Sequence, residues 1–327
     1  MKHRISLFFL LGLSISTWAQ FAPAAGLPGS TAVPAESPFF THWASSCMVE
    51  RGPVDIAQPD LGLATVGLPE FALGPATETE VVSLGDGGQA TLEFDPAIID
   101  HLGADFAVFE NAFLPTFLEL AFVEVSSDGE YFQRFPAISL TPTDQQVDAF
   151  GVVEATQINQ LAGKYEQGYG VPFDLANLPP DPLVDRQNIR YVRIVDVVGS
   201  ISPEFGSLDS EGNLINEPYP TPFASGGFDL NAVGVLAPNT LSSTESSSSD
   251  LAVYPNPLSP GFSEVFWNQP FTGRIELVNQ VGQTVYSSAC WKCEKITLNA
   301  PPSGIYWLIF EADESGFRHQ ISLIISD

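Results

Sequence analysis

Between Gln89 and Leu236 apolar residues recur at every second position in short runs, each stopped by turn-forming residues. Alternation of this kind places one side of an extended chain in a core and the other in water, so it specifies β-strands. The runs are Gln89 to Phe94, Asp105 to Asn111, Leu118 to Ser126, Tyr131 to Phe135, Arg190 to Val198 and Phe228 to Leu236. Ser127-Asp128-Gly129 reads as a hairpin turn, with glycine at the positive-φ position. Helical propensity is confined to short pieces, Thr156 to Ala162 and Asp185 to Asn188, and no strand-helix alternation supports a parallel sheet. The expected class is all-β, a β-sandwich.

Twelve Lys and Arg against 39 Asp and Glu leave a formal charge of −27 in 327 residues. A nucleic-acid partner is excluded on this ground, because such binders gain affinity by neutralising phosphate. Anionic membrane surfaces are disfavoured for the same reason. The first residues read as an export signal: Lys2, His3 and Arg4 are basic, Ile5 to Ile15 is apolar, and Thr17-Trp18-Ala19 puts small residues at −3 and −1 of a cleavage site. Cleavage between Ala19 and Gln20 is expected, giving a signal peptide over 1–19. No other stretch has the roughly 20 apolar residues of a membrane-spanning helix.

Residues 237–250 are polar, rich in serine and without periodicity, which marks a linker. It separates a body, 20–236, from a C-terminal module, 251–327. Within the body, 20–76 is rich in Pro, Gly and Ala and is expected to wrap the sandwich as irregular strands and loops. Cys290 and Cys293 form a C-x-x-C pair between two strand-like runs, and the favoured reading is a small structural disulfide closing a hairpin loop. Cys47 is then a free, buried thiol.

Several carboxylates fall on the wrong face. Alternation groups Phe106, Val108 and Glu110, then Leu120, Phe122 and Glu124, then Val192, Ile194 and Asp196, while Asp229 opens the last strand of the body. A carboxylate leaving water needs a cation or good donors. The basic candidates are few: Arg190, Arg193, Arg134 and Lys164. A second resolution is calcium, which takes six to eight oxygen ligands; Glu110, Asn111, Asp196 and Asp229 are the candidate ligands. Asp209-Ser-Glu211-Gly212-Asn213 lacks the spacing and terminal glutamate of an EF-hand and reads as an acidic turn.

The histidines beyond the signal are His42, His101 and His319, and none sits in a nucleophile or metalloprotease signature. Gly85-Asp86-Gly87-Gly88 precedes a strand and reads as a hairpin turn rather than a phosphate loop. The expectation is a protein that is not an enzyme. Tyr165, Tyr169, Phe173, Tyr219 and Phe223 lie in Gly- and Pro-rich segments and are the candidate ligand-stacking aromatics.

Three resemblances follow from longer phrases. Glu124-Val-Ser-Ser-Asp128-Gly129 with Phe132 and Phe135, and later Arg190-Tyr-Val-Arg193-Ile194, resembles galactose-binding-like jelly rolls of the discoidin and carbohydrate-binding type. Jelly rolls of that type often carry structural calcium. Val82-Ser-Leu-Gly-Asp86-Gly-Gly, Asp105-Phe-Ala-Val-Phe-Glu-Asn111, Leu161-Ala-Gly-Lys-Tyr165 and Gly226-Gly-Phe-Asp-Leu230 are similar to phrases shared by secreted bacterial cell-surface proteins of uncharacterised function. The C-terminal module resembles the type A sorting domain of the type IX secretion system of the Bacteroidota. Tyr254-Pro-Asn-Pro257 opens it, Ile275 to Val285 gives strand, turn and strand around Gly282, and Pro302-Ser-Gly304-Ile-Tyr306-Trp-Leu308 matches a later strand. Asn279 stands where that family usually has Asp, and the chain ends Ser326-Asp327 where a basic terminus is common.

The resemblance implies a jelly-roll sandwich followed by a small Ig-like sorting domain, export through the periplasm to the outer cell surface, and a sortase that removes the sorting domain. The product would be soluble or joined to surface glycolipid. The function implied is a surface-displayed binding protein for a glycan or other small ligand. The alternatives are a structural or adhesive surface component with structural calcium, and an accessory that captures a glycan or cobamide for outer-membrane uptake.

Overall fold

The computed structural model describes residues 21–27, 29–237, 253–256, 258, 264–279, 283–298, 302–311 and 318–325. The signal segment with Ala19 and Gln20, and nearly all of the linker, lie outside the described residues. The chain is all-β, and its only described helices are 3-10 turns of three or four residues. The body supplies β1 (Val33–Pro34), β2 (Phe40–Trp43), β3 (Ser46–Glu50), β4 (Val82–Ser83), β5 (Gln89–Ile98), β6 (Phe106–Glu110), β7 (Ala121–Ser126), β8 (Gln133–Arg134), β9 (Ile138–Ser139), β10 (Ile158–Asn159), β11 (Tyr169–Phe173), β12 (Ile189–Asp196) and β13 (Asp229–Leu236).

Two antiparallel sheets face each other. One runs β1-β11-β6-β13-β2 with β4 also on β13, and the other runs β3-β5-β12-β7-β8. The core between them takes alternate residues from each: Phe106 and Val108 of β6 and Phe173 of β11 from one sheet, Leu92 of β5, Val123 of β7 and Ile194 of β12 from the other. Burial of this apolar surface is the main favourable term for the fold. Phe173 stacks on Phe106 at 5.4 Å between centroids and meets Phe135 edge-on at 5.0 Å, which places an aromatic nucleus between the sheets.

All six alternating runs form strands, although three local expectations change. The predicted helical piece from Thr156 is one 3-10 turn, Ala155–Gln157, followed directly by β10, because Ile158 is buried and Asn159 pairs with Ile138. Asp185 to Asn188 is a turn, held by Asn188 N–H to Asp185 O and by the Asp185 carboxylate accepting from Gln187 N–H. Gly85 to Gly88 is not a hairpin: β4 pairs with β13 in one sheet and β5 with β12 in the other, so this turn carries the chain across the sandwich. Ser127-Asp128-Gly129 does close the β7–β8 hairpin, with Gly129 at φ +80°.

The C-terminal module has β14 (Val253–Tyr254), β15 (Glu264–Asn279), β16 (Thr284–Thr297), β17 (Gly304–Glu311) and β18 (Arg318–Ile325). They form one antiparallel sheet, β14-β15-β17-β18 with β16 on β15. Val265, Trp267, Ile275 and Leu277 of β15 meet Leu308 and Phe310 of β17 in its core. Cys290 and Cys293 are disulfide-bonded, and the bond closes a bulge inside β16, where Gly273 faces Cys290 and Phe271 faces Cys293, rather than a hairpin loop. Cys47 is half-buried and free, and burial pushes its thiol up to about 12.

Truncating Phe173 removes the ring shared by the two sheets. Phe173→Ala is expected to destabilise the protein by about 3–5 kcal/mol in urea unfolding, the range for losing a buried aromatic ring. A loss below about 1 kcal/mol would show that the nucleus is not between the sheets.

Candidate functional site: a buried carboxylate cluster

Antiparallel pairing brings the end of β6, the end of β12 and the start of β13 to one end of the sandwich. Glu110, Asp196 and Asp229 sit at those positions and are all buried. Glu110 continues the inward parity of Phe106 and Val108, and Asp196 that of Val192 and Ile194. Asp86, on the turn that crosses between the sheets, and Glu217, on the loop before β13, are also buried there. Glu119, one residue before Leu120 leads into β7, completes a set of six.

The backbone holds most of these groups. Asp196 accepts from Phe228 N–H at 2.6 Å through Oδ1 and from Gly87 N–H at 2.8 Å through Oδ2. Glu110 accepts from Ala112 N–H at 2.7 Å, Glu217 from Leu120 N–H at 2.7 Å and Asp86 from Ile56 N–H at 2.8 Å. The Ser83 hydroxyl donates to Asp229. Two glycines make room: Gly227 has φ +73°, and a Cβ there would lie 2.7 Å from Asp196 Oδ1 and 2.8 Å from the Gly85 carbonyl carbon. Gly85 has φ +74°, and its Cβ would lie 2.4 Å from Gly52 O. The sequence around Gly85-Asp86-Gly87-Gly88 and Gly226-Gly227 is therefore what allows two turns to close on a carboxylate.

None of the six carboxylates has an ion pair with Lys, Arg or His among the described residues. Arg51 is close enough to favour the Asp229 anion, yet its guanidinium is directed to the carbonyls of Val66, Ser83 and Gly67 at 2.7–2.9 Å. Lys164 is buried but donates to Ile158 O at 2.7 Å, and burial lowers its pKa to about 8.

Burial raises every carboxyl of the set, and the neighbours raise most of them further. Asp86 and Asp229 are each pushed up to about 6. Glu110 rises well above the usual carboxylate range, first from burial and then from Asp229. Glu119 rises from burial and then from Glu110, Asp229, Asp196 and Asp86, Asp196 from burial and Asp86, and Glu217 from burial, Asp196 and Glu119. Such a set either takes up protons or holds a cation.

Asn111 contributes its backbone N–H to Glu110. Asp86, Glu119 and Glu217 escaped the sequence reading. Asp86 lay in a turn, Glu217 in a loop without periodicity, and Glu119 between the inward Leu118 and Leu120, so alternation assigned it to the outside.

Glu124 does not share a face with the central core. Ala121, Val123 and Val125 point inward, and Glu124 lies on the opposite side of β7 with Phe122. There it accepts from Arg134 Nε at 2.8 Å and Arg193 Nε at 2.6 Å, while the two guanidiniums cover the rings of Phe122 and Phe132 at 4.0 and 3.9 Å. At the far end of β6, one oxygen each of Asp100, Asp105 and Asp174 lie within 4.8 Å of one another. This second acidic group has basic side chains beside it, with His101 Nδ1 at 3.1 Å from Asp105 and Arg186 at 3.9 Å from Asp100. Asp209 accepts from Glu211 and Asn213 N–H at 2.9 Å and closes a plain acidic turn.

The candidate stacking aromatics separate by burial. Tyr165 and Phe173 are core side chains with no ring face open to a ligand, which corrects the expectation drawn from their Gly- and Pro-rich surroundings. Tyr165 gives its hydroxyl to a hydrogen bond with Thr31 at 2.8 Å. Tyr169 is half-buried on β11, and Tyr219 is half-buried with its hydroxyl donating to Asp55 at 3.0 Å. Phe223 is 43% exposed and touches Phe150, a ring the sequence reading did not single out.

Raised carboxyl pKa values fix the sign of a pH dependence. The folded protein binds more protons than the unfolded chain once pH passes about 4, the ordinary carboxylate value, so stability is full below that point and falls as pH rises through 6 and beyond. In chelator, urea unfolding at pH 5, 6.5 and 8 is expected to show a steady decline of about 1.4 kcal/mol per pH unit for each titrating group. Stability that rises with pH over this range would contradict the cluster.

No family model and no curated protein sequence matches the chain. Among solved structures, it is similar to PorZ, a surface component of the type IX secretion system of Porphyromonas gingivalis, at 14% identity and a TM-score of 0.22, over 81% of this chain and 41% of that one. It is also similar to the BSP domain of a biofilm-associated protein, at 12% identity and a TM-score of 0.21, over 89% of this chain and 52% of the other. The chain thus spans about half or less of either protein, and likeness at this level carries no argument about what it does.

Proposed function

We propose that the protein is a non-catalytic binding protein of the bacterial surface, exported by the type IX route, whose body is built around a divalent cation of the calcium class. One observation carries the cation: six carboxylates deep at one end of the sandwich, none with a basic partner among the described residues. Calcium is bound by carboxylate, amide and carbonyl oxygens in flexible geometry, and these are the groups present. Glu110, Asp196 and Asp229 would hold the ion after their side chains draw together, since among the described residues the set of three such oxygens within 4.8 Å of one another is Asp100, Asp105 and Asp174; Asp86, Glu119, Glu217 and the Asn111 amide would be further oxygen donors. Its charge would offset a repulsion that the fold otherwise meets with backbone dipoles, the Ser83 hydroxyl and the nearby Arg51.

The non-catalytic reading is supported by where the carboxylates sit, in the interior with four of the six tied to backbone N–H groups, rather than across an open cleft. Ligand contact is assigned to the loops at the same end, where Phe223 is exposed, with a glycan or other small molecule as the ligand. The export route rests on the C-terminal resemblance, and β15 and β16 pair antiparallel in the order of its phrases. Those phrases imply the secretion machinery and its sortase as partners, with surface glycolipid as an attachment.

Thermal unfolding of residues 20–327 tests the cation. Calcium at about 100 times its Kd is expected to add roughly 2.7 kcal/mol over chelator, saturably, and to flatten the decline with pH. Asp196→Asn and Glu110→Gln should each abolish most of that gain while raising metal-free stability at pH 8. An unchanged melting temperature in calcium removes the cation from the reading. Independently, deleting residues 251–327 should leave a signal-cleaved body in the periplasm of the native host; surface delivery of that truncated protein would defeat the sorting assignment.

A further inference from the structure

Phe223 belongs to a larger feature. Phe113, Phe117, Phe150 and Phe223, from three separate loops, touch in that order, with centroids 4.7, 6.0 and 5.7 Å apart and interplanar angles of 27°, 26° and 33°. Phe117 is buried, whereas Phe113, Phe150 and Phe223 are 62%, 68% and 43% exposed, and Leu114 and Val152 beside them are exposed as well. Apolar side chains scattered singly over a surface are ordinary, but a contiguous run of rings is a mark of recognition. Rings in nearly parallel planes at about 6 Å are offset, so part of each face stays uncovered.

The strip is already assembled. Val153 N–H donates to Thr116 O at 2.9 Å and joins the second loop to the first, Tyr219 N–H donates to Val147 O at 3.1 Å and joins the third to the second, and Gly226 N–H donates to Phe223 O at 2.9 Å. A ligand meeting rings held in this way spends little on ordering them.

The surrounding charge selects the occupant. Segments 111–119, 141–154 and 217–226 contain Glu119, Asp144, Asp148, Glu154 and Glu217 and no Lys, Arg or His. Asp144, Asp148 and Glu154 are exposed. Like charge opposes a second copy of this chain, an anionic lipid surface and a nucleic acid. Aromatic faces on loops that carry exposed carboxylates and no base favour a cation on an apolar stem, which is the chemistry of arginine and lysine side chains. The molecule makes the same contact internally, where Arg134 and Arg193 lie over Phe122 and Phe132 at 4.0 and 3.9 Å.

We propose that the Phe113–Phe117–Phe150–Phe223 strip docks a basic segment of a partner protein, with arginine or lysine side chains over its rings and aliphatic side chains against Leu114 and Val152. The proposal rests on the reading of the body as a binding module, and is independent of the cation and of a glycan ligand.

The test uses residues 20–327 and a fluorescein-labelled dodecapeptide of alternating arginine and leucine, followed by anisotropy in 50 and 200 mM salt. A glutamate-for-arginine peptide and a chitin hexasaccharide serve as the comparison probes. Saturable binding of the basic peptide is expected, weakened at least tenfold by Phe150→Ser or Phe113→Ser and severalfold by Asp148→Asn with Glu154→Gln. Both rings are exposed, so near-ultraviolet circular dichroism should stay unchanged in these variants. Binding that the ring variants leave intact would reduce the effect to the general charge of the chain and overturn the proposal. Absence of peptide binding would overturn it too. Ring-dependent binding of the hexasaccharide without the peptide would overturn it while leaving the binding-module reading in place.

Discussion

Acidic side chains buried inside a β-sandwich are the constraint on which this structure turns. Burying an ionised carboxylate costs several kcal/mol unless it is paired, and here six approach one another at the same end of two sheets. Backbone N–H groups from the turns at Gly85–Gly88 and Phe228, and from Leu120 and Ala112, meet part of that cost. Those turns need glycines whose backbones approach within a Cβ's reach of the acids or of one another. Turn geometry, crossing between sheets and the position of the acids therefore form a single arrangement.

The same end of the sandwich presents the aromatic strip. Glu110 lies three residues before Phe113, Glu119 two after Phe117, and Asp229 six after Phe223, so two of the three loops that show rings to solvent adjoin buried acids. Loops placed by a rigid scaffold are where recognition concentrates, and these loops are fastened at both their buried and exposed parts. The opposite end of β6 differs in a telling way. Asp105 there is also pushed up, to about 7, yet it has His101 beside it, and Arg186 stands near Asp100. That cluster has ion pairs with basic side chains, whereas the six carboxylates have none among the described residues and only Arg51 near Asp229.

Much of the fold was legible because strand alternation is a local code. Glu110 and Asp196 were found by it, since a carboxylate in phase with Phe106 and Val108, or with Val192 and Ile194, must face inward whatever the partner strand. The same code failed for Glu124. The run beginning at Leu118 was read with its even positions inward, whereas β7 directs Ala121, Val123 and Val125 to the central core and leaves Phe122 and Glu124 under two arginines. Both faces of β7 are apolar or covered, and period two then cannot say which side is which. Tyr165 and Phe173 were misplaced for a related reason: Gly and Pro nearby suggest a loop, and neither residue reports whether that loop lies over the core.

Residue order alone was enough to require an all-β chain, because runs of alternation stopped by glycine and proline have no other low-energy form. Convergence was not written there. Asp86, Glu119 and Glu217 meet Glu110, Asp196 and Asp229, and four phenylalanines from three loops line up, because long-range antiparallel pairing brings distant strand ends together. That pairing depends on which sheet each strand joins, and the turn at Gly85–Gly88, which looks like a hairpin and instead crosses between the sheets, shows why no local pattern contains it.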